Sequence, residues 1–427
     1  MIQNTRRWQP YPAYKPSGVP WLGDIPAHWE VRRLKSVARF IYGDSLAAEE
    51  RERGNVPVYG SNGQIDVHSV ANTFAPVIVI GRKGSFGKIN FSEVPVFAID
   101  TTYFIDSRNT SADLKWLAHV LQLLNLDQAS QDSAIPGLSR DVAYTNFIPA
   151  PSVTEQHAIA AFLDRETARL DTLIAKNEQL IERLQEKRTA LISRAVTKGL
   201  DANARMKDSG VEWLGEVPER WEVRRLKQIA DVNFSGVDKH SLENEIPAKL
   251  CNYVDVYKNE RITSGIEFMR ATASADEIKN FTLAKDDILI TKDSESWTDI
   301  AVPAIVTEEL ENVLCGYHLA LVRPNPKMVD GEFLFRAFQA TTINYQFQVE
   351  ATGITRYGID QYAISNTIFP LLPIEEQRAI AAYLNEQTAR LDALVTKIQD
   401  GIARLREYRG ALIAAAVTGK VDVRDTA

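Results

Sequence analysis

Arginine and lysine set among glycines, with no acid nearby, are the first residues in this chain whose types could do chemistry. Gly81–Asn90 reads GRKGSFGKIN and carries Arg82, Lys83, Ser85 and Lys88. Glycines let backbone amides approach an anion closely, so the loop suits contact with phosphates or base edges; a basic hairpin turn in water is the alternative. The spacing is not the GxxxxGK[ST] of a triphosphate-binding loop. Upstream, VPVYGSNGQIDVH adds Tyr59, Ser61 and Asn62 as candidates of the same kind. Far downstream, KDSESWT places Lys292, Asp293, Ser294, Glu295 and Thr298 where they can donate to and accept from base edges, with a capped surface turn as the alternative. Arg140 follows Gly-Leu-Ser and Arg356 follows Gly-Ile-Thr. Ser139 with Arg140, and Thr355 with Arg356, are expected at equivalent places and fit phosphate positioning, or else a salt bridge to a helix start.

No convincing catalytic set accompanies them. The chain has no NPPY- or DPPY-type aminomethylation motif, GxGxxG after a strand, HExxH, GxSxG or carboxylate set of the PD…ExK type, which points away from an enzyme. The only cysteines, Cys251 and Cys315, lie far apart without CxxC spacing, and six histidines are scattered, so no metal site is indicated.

The elements that must position these loops are written twice. Ser17–Lys35 and Ser209–Lys227 agree at 14 of 19 positions, and residues 154–201 agree with 375–422 at 26 of 48. The offsets are 192 and 221, so the enclosed inserts differ: 36–153 has about 118 residues and 228–374 about 147. A period near 200 is too long for a solenoid and describes two half-molecules. Each has a lead-in, a variable globular insert and a long helix. Insert one shows short apolar runs punctuated by glycine, including APVIVIGRKGSFGKINF and VPVFAIDTTYFI, and reads as strands and tight turns. In insert two, Ile288–Ile290 reads as a buried strand, and LCNYVDVYKNERI as another with Tyr253 and Tyr257 packed at its edges.

The repeated carboxy-terminal block carries heptads: Leu163, Leu170, Asn177, Leu184 and Leu191, then Leu384, Leu391, Ile398, Leu405 and Leu412. Leu173, Ile174, Ile181, Leu394, Val395 and Ile402 are expected at adjacent seam positions. Ser152 with Glu155 suggests a capping box, Pro373 an N1 proline, and Gly199 and Gly419 the stops. A helix of about 40 residues spans roughly 60 Å, more than one small domain hides, so the two helices are expected to pair antiparallel with pseudo-twofold symmetry. Asn177 is either a register-setting seam residue or a solvated one, and Gly401 interrupts the second seam. The division is 1–16 arm, 17–153 first globular domain, 154–199 first helix, 200–208 linker, 209–374 second globular domain, 375–420 second helix and 421–427 tail. The fold class is α+β, two globular α/β domains joined by two long antiparallel coiled-coil helices.

Length favours two or more domains, and 45% hydrophobic with 25% charged residues describes a globular chain. A net charge of -7 excludes a uniformly basic nucleic-acid binder but not a local basic face. No signal peptide and no membrane span is apparent, so a cytoplasmic location is expected.

These phrases together resemble the specificity subunit of type I restriction-modification systems across essentially the whole chain. The resemblance is carried by the duplicated SGVxWLGxxPxxWEVRRLK, PGLSR, the EQxAIAAxL helix starts, GRKGSFGKI and ITKDSESWTDIAVPA. It implies a non-catalytic DNA reader with two target recognition domains, each reading half of a bipartite, asymmetric site in double-stranded DNA. Its helices, through Leu163, Leu170, Leu184, Leu191, Leu384, Leu391, Leu405 and Leu412, would dock two methyltransferase subunits that bind S-adenosylmethionine. Restriction-translocase subunits, using ATP and Mg, would complete the complex, and no cofactor is expected in this chain. A coiled-coil adaptor without a DNA role and an enzyme with a dispersed site are the alternatives. The lead-in, with core-type Trp21, Leu22, Trp29, Val31 and Leu34 and a turn at Gly23 and Pro26, is expected to clasp each domain against the end of a long helix.

Overall fold

Runs of β-branched residues form the buried centre of each half of the chain. The computed structural model describes residues 9–128 and 137–424; residues 1–8, residues 129–136 with the Pro136 of PGLSR, and residues 425–427 lie outside the described residues. The chain divides into two units, residues 1–177 with 400–427, and residues 178–399.

In the first unit, β1 (Ile41–Tyr42), β2 (Val77–Gly81), β3 (Ile89–Ser92) and β4 (Thr102–Asp106) form an antiparallel sheet in the order β1-β4-β2-β3. Every residue of β2 and β4 is buried. Helix α1 (Leu114–Leu123) covers the sheet, capped by the Asp113 carboxylate accepting from Trp116 N–H at 2.8 Å. Helix α2 (Arg140–Tyr144) precedes the strand Phe147–Ala150, which pairs with Glu30–Arg33 of the lead-in. The long helix α3 spans Val153–Lys198.

The second unit repeats this plan with additions. Strands β5 (Ala230–Phe234), β6 (Arg261–Ile262), β7 (Ile288–Thr291), β8 (Pro303–Val306) and β9 (Leu319–Pro324) are ordered β5-β9-β7-β8-β6, the first sheet plus one parallel edge strand. Helices α4 (Gly331–Gln339) and α5 (Thr341–Glu350) follow. Helix α6 (Gln361–Asn366) leads to Ile368–Leu371, paired with lead-in residues Glu222–Arg225, and α7 spans Ile374–Val417. The Tyr253 segment is a helix, Tyr253–Lys258, where the sequence suggested a strand. Asn252 N–H donates to Asp255 Oδ2 at 2.8 Å across its first turn, and helical spacing stacks Tyr253 on Tyr257 at 5.6 Å.

Each unit contains the start of one long helix and the end of the other. In the first unit, Trp29 meets both the start of α3 and the turn closing α7, and Asp171 pairs with Arg409 at 2.9 Å, so these segments run antiparallel. In the second unit, Trp221 meets the start of α7 and Gly199, and Arg188 pairs with Asp392 at 3.0 Å. Both ion pairs join the same two positions of the repeat. Helix α7 ends before the expected residue 420: Gly419 N–H donates to Ala416 O at 3.3 Å and Lys420 N–H to Ala415 O at 2.8 Å, a Schellman closure on a left-handed glycine (φ 75°). Pro373 is the cap rather than the first helical residue, its carbonyl accepting from Glu376 and Gln377. Gly401 does not break α7.

The heptad leucines are consumed by packing inside the chain. Leu163, Leu170, Leu184, Leu384 and Leu412 are buried, while Leu191, Leu391 and Leu405 are half-buried. Leu173 and Leu394, expected in the seam, are instead 42% and 43% exposed. Their neighbours Ile174 and Val395 turn inward, because at 3.6 residues per turn adjacent positions diverge by about 100°. Trp21 is also exposed rather than core, its Nε1 donating to Phe147 O at 3.1 Å. Among the described residues no helix is long and apolar enough to cross a membrane, and no cluster of His, Cys, Asp or Glu could hold a metal.

Candidate nucleic-acid interface

In the first unit the turn after β2 gathers the candidate residues. Gly81, at its start, is so close to the Ser61 and Ser85 carbonyls that a Cβ would collide with both, which brings the 59–62 and 81–90 loops together. Lys88 Nζ donates to Asn62 O at 2.8 Å and to Asn62 Oδ1 at 2.9 Å. The backbone of Lys83 bridges Gly137, and Leu138 N–H donates to Arg82 O at 2.9 Å, adding the Ser139–Arg140 loop. Lys83, Ser85, Lys88, Asn62 and Ser139 are exposed, whereas half-buried Tyr59 packs on the cluster of Val77, Val79 and Phe104.

Tyr42, not singled out in the sequence, stands at the centre. Its ring carries the Arg82 guanidinium at 4.8 Å and that of Arg140 at 5.1 Å. Arg82 also donates to Asp100 O at 3.0 Å. Burial, with the neighbouring Tyr42 hydroxyl, pushes the adjacent Tyr103 phenol up to about 12.

The second unit builds its counterpart differently. Asp293–Ser294 pairs with Tyr357–Gly358, which itself pairs with Thr352–Gly353, so the two polar phrases share one small sheet. Asp293 accepts from Arg356 at 2.6 Å and lies 2.7 Å from His318 Nδ1. Ser294 is buried; Glu295, Thr298, Thr355 and Arg356 are exposed. Lys292 turns inward, its Nζ 3.2 Å from Ser235 O and 4.9 Å from the Phe234 ring centre. Burial lowers its ammonium pKa against the opposing pull of Asp293.

One expected equivalence fails. Leu138 N–H donates to Arg82 O, and Ile359 N–H donates to Lys292 O at 3.0 Å, so Leu138 corresponds to Ile359 and Arg140 to Gln361. Arg140 opens α2 as Gln361 opens α6. Arg356 lies in the turn between its two short strands, and the resemblance of Gly-Leu-Ser-Arg to Gly-Ile-Thr-Arg does not reflect shared position. A signal for Tyr42 existed: the lead-in offset of 192, carried seven residues past the phrase, pairs it with Phe234.

Two unlike loop clusters on two copies of one frame define a class of protein, a duplicated frame that carries a different set of loops on each copy. A family model described as the type I restriction modification DNA specificity domain matches residues 26–183 and again 218–404, and the chain belongs to that family. It is a specificity subunit of a type I restriction-modification system, a non-catalytic subunit. It is 22% identical to the MjaVIII specificity subunit of Methanocaldococcus jannaschii, over 94% of this chain and 95% of that one. To the EcoBI specificity subunit of Escherichia coli it is also 22% identical, over 81% and 73%. The fold is shared with the HsdS subunit from Thermoanaerobacter tengcongensis (TM-score 0.52, 15% identity, 93% of this chain and 98% of that one). It is also shared with a chain solved in a study of complex assembly and conformational transition of the type I R-M system (TM-score 0.68, 14% identity, 92% and 98%).

Proposed function

We propose that this subunit reads an asymmetric, bipartite site in double-stranded DNA, one half through 17–153 and the other through 209–374. The observation that carries this is the duplication of the frame against the divergence of the loops. Trp29 with Glu155 and Trp221 with Glu376 are the same bond twice, whereas the loop after β2 is basic and the loop after β7 is ion-paired. Equal frames offer equal surfaces to two identical partners, and unlike loops offer two readouts. Helices α3 and α7 then carry two methyltransferase subunits, whose S-adenosylmethionine supplies the methyl group; restriction subunits using ATP and Mg join them. The contacts fall on the loops of Arg82, Lys83 and Lys88 and of Asp293 and Arg356.

The test is a graft. Replacing residues 36–153 with the corresponding insert of a relative, then mapping methylated adenines in DNA exposed to the assembled complex, should change one half of the site; a change in both halves would overturn the reading. An adaptor without a DNA role predicts that Arg82→Gln, Lys83→Gln and Lys88→Gln leave DNA affinity and its salt dependence untouched. The reader predicts weaker binding with a shallower salt slope.

A further inference from the structure

The strands that edge the two sheets each end in an aromatic residue, and each ring lies under a cation that follows the central strand. Tyr42 ends β1 and carries Arg82; Phe234 ends β5 and carries Lys292. The ring-to-cation distances, 4.8 and 4.9 Å, agree although both partners differ in kind. The loops around them have diverged, yet this side-chain pairing recurs in both units of the chain, as does the backbone bond to each cation-bearing residue's carbonyl.

We propose that Tyr42 and Phe234 are positioning residues for DNA recognition: Tyr42 seats the Arg82 cation ready for DNA, while Phe234 seats Lys292 inward, also held on Ser235 O, and so fixes the start of the loop that carries Asp293. The inference rests on the reading role proposed above. A free arginine or lysine has many rotamers to give up on binding; one seated on a ring face has given them up beforehand, and the ring's negative face favours the charge. The seats differ in what they present. In the first unit Tyr42 holds a second guanidinium, Arg140, and among the described residues neither arginine has a carboxylate partner. Two like charges about one ring are a concentration of donors that an acceptor-rich ligand relieves, a backbone phosphate or the O6/N7 edge of guanine. In the second unit the position of Arg140 belongs to Gln361, whose side chain donates to Val232 O at 2.7 Å, so Phe234 seats a single ammonium. The Tyr42 seat therefore contributes more to binding than the Phe234 seat.

The full chain, assembled with its methyltransferase subunits, is titrated onto duplex DNA carrying its methylated site. Tyr42→Leu is expected to lose on the order of tenfold in affinity, Phe234→Leu less, while Tyr42→Phe and Phe234→Tyr bind as the parent does. Tyr42→Leu should add little to a chain already carrying Arg82→Gln and Arg140→Gln. Because removing a ring can also unfold an edge strand, fluorinated phenylalanines at positions 42 and 234 keep the shape while draining the ring face of charge; affinity should fall stepwise with fluorination. A shallower salt slope would put the cations on phosphates, and tolerance of changed bases in one half-site would put them on base edges; both support the seats. Affinity indifferent to fluorination, while Arg82→Gln and Lys292→Gln weaken binding, overturns the seats alone. If those two cation variants also bind like the parent, the reading surface itself is misplaced.

Discussion

Trp29 Nε1 donates to Glu155 Oε1 at 3.2 Å, and the same bond joins Trp221 to Glu376, also at 3.2 Å. Each indole is fully buried and ties a lead-in to the start of the long helix that follows its insert. Beside this bond, Gln156 accepts from Asp113 N–H and Gln377 from Asp330 N–H, at 2.9 and 2.8 Å. The repeated Glu-Gln pair thus holds a tryptophan with one side chain and the cap of a domain helix with the next. These residues are where they are because they build the frame.

Glu155 makes this frame sensitive to acid. Burial alone would raise its carboxyl, but hydrogen bonds from His28, Trp29 and Ser152 outweigh burial and hold it below the ordinary value of 4.5. A depressed folded value stabilises the fold above the unfolded value, and that contribution is lost as pH falls through the folded one. Denaturant midpoints measured from pH 6 to pH 3 should fall more steeply for the parent than for Glu155→Gln. At neutral pH, Glu155→Ala should cost about 1–3 kcal/mol.

Glycines of α7 and its closing turn should respond to alanine with opposite signs. Gly419 has φ 75°, and a Cβ there would strike Pro26 and the Trp29 ring, so Gly419→Ala should destabilise by about 1–3 kcal/mol. Gly410 is helical with nothing near its missing Cβ, so Gly410→Ala should stabilise by about 0.5–1 kcal/mol. Chemical unfolding of both variants decides.

The long helices separate folding from docking. Leu163→Ala removes a fully buried side chain and should cost about 2–5 kcal/mol. Leu173→Glu and Leu394→Glu alter exposed positions and should change stability by less than about 0.5 kcal/mol. If the methyltransferase subunits dock on these helices, the two glutamate variants should fold normally and fail to co-purify with them.

Arg336 is 3% exposed and its guanidinium is held by Asn385, Thr388, Gln339 and Glu260. Removing it strands several polar groups, so Arg336→Ala should cost about 3–5 kcal/mol, whereas Arg390→Ala, at an exposed i,i+4 pair with Glu386, should cost less than about 0.5 kcal/mol. Comparing thermal unfolding of the two variants checks the contrast.

Much of the frame was legible in one dimension. Identities at fixed offsets revealed the two halves, heptads marked the helices, and the apolar runs of β2, β4 and β7 marked the buried strands, because each signal depends on neighbours within a few residues. The basic and polar turns around Tyr59, Arg82 and Arg140 were visible one by one as glycine-punctuated stretches, but their gathering into one cluster was not. What the sequence misjudged depended on which side of an element faced its neighbour. Leu173 and Leu394 are apolar at near-seam spacing yet exposed, and Trp21 covers the end of a strand instead of entering the core.

The sequence by itself determined that there are two copies of one frame and that their inserts differ, since duplication is a property of residue order. Only the tertiary structure decided which side chains share a place. Strand order β1-β4-β2 carries Arg82 across to Tyr42, forty positions earlier, and Arg140 joins them after a further fifty-eight. The match of Arg140 to Gln361 rather than Arg356 follows from one backbone hydrogen bond in each unit. Such partnerships rest on long-range pairing of strands, which fixes distances that residue spacing leaves free.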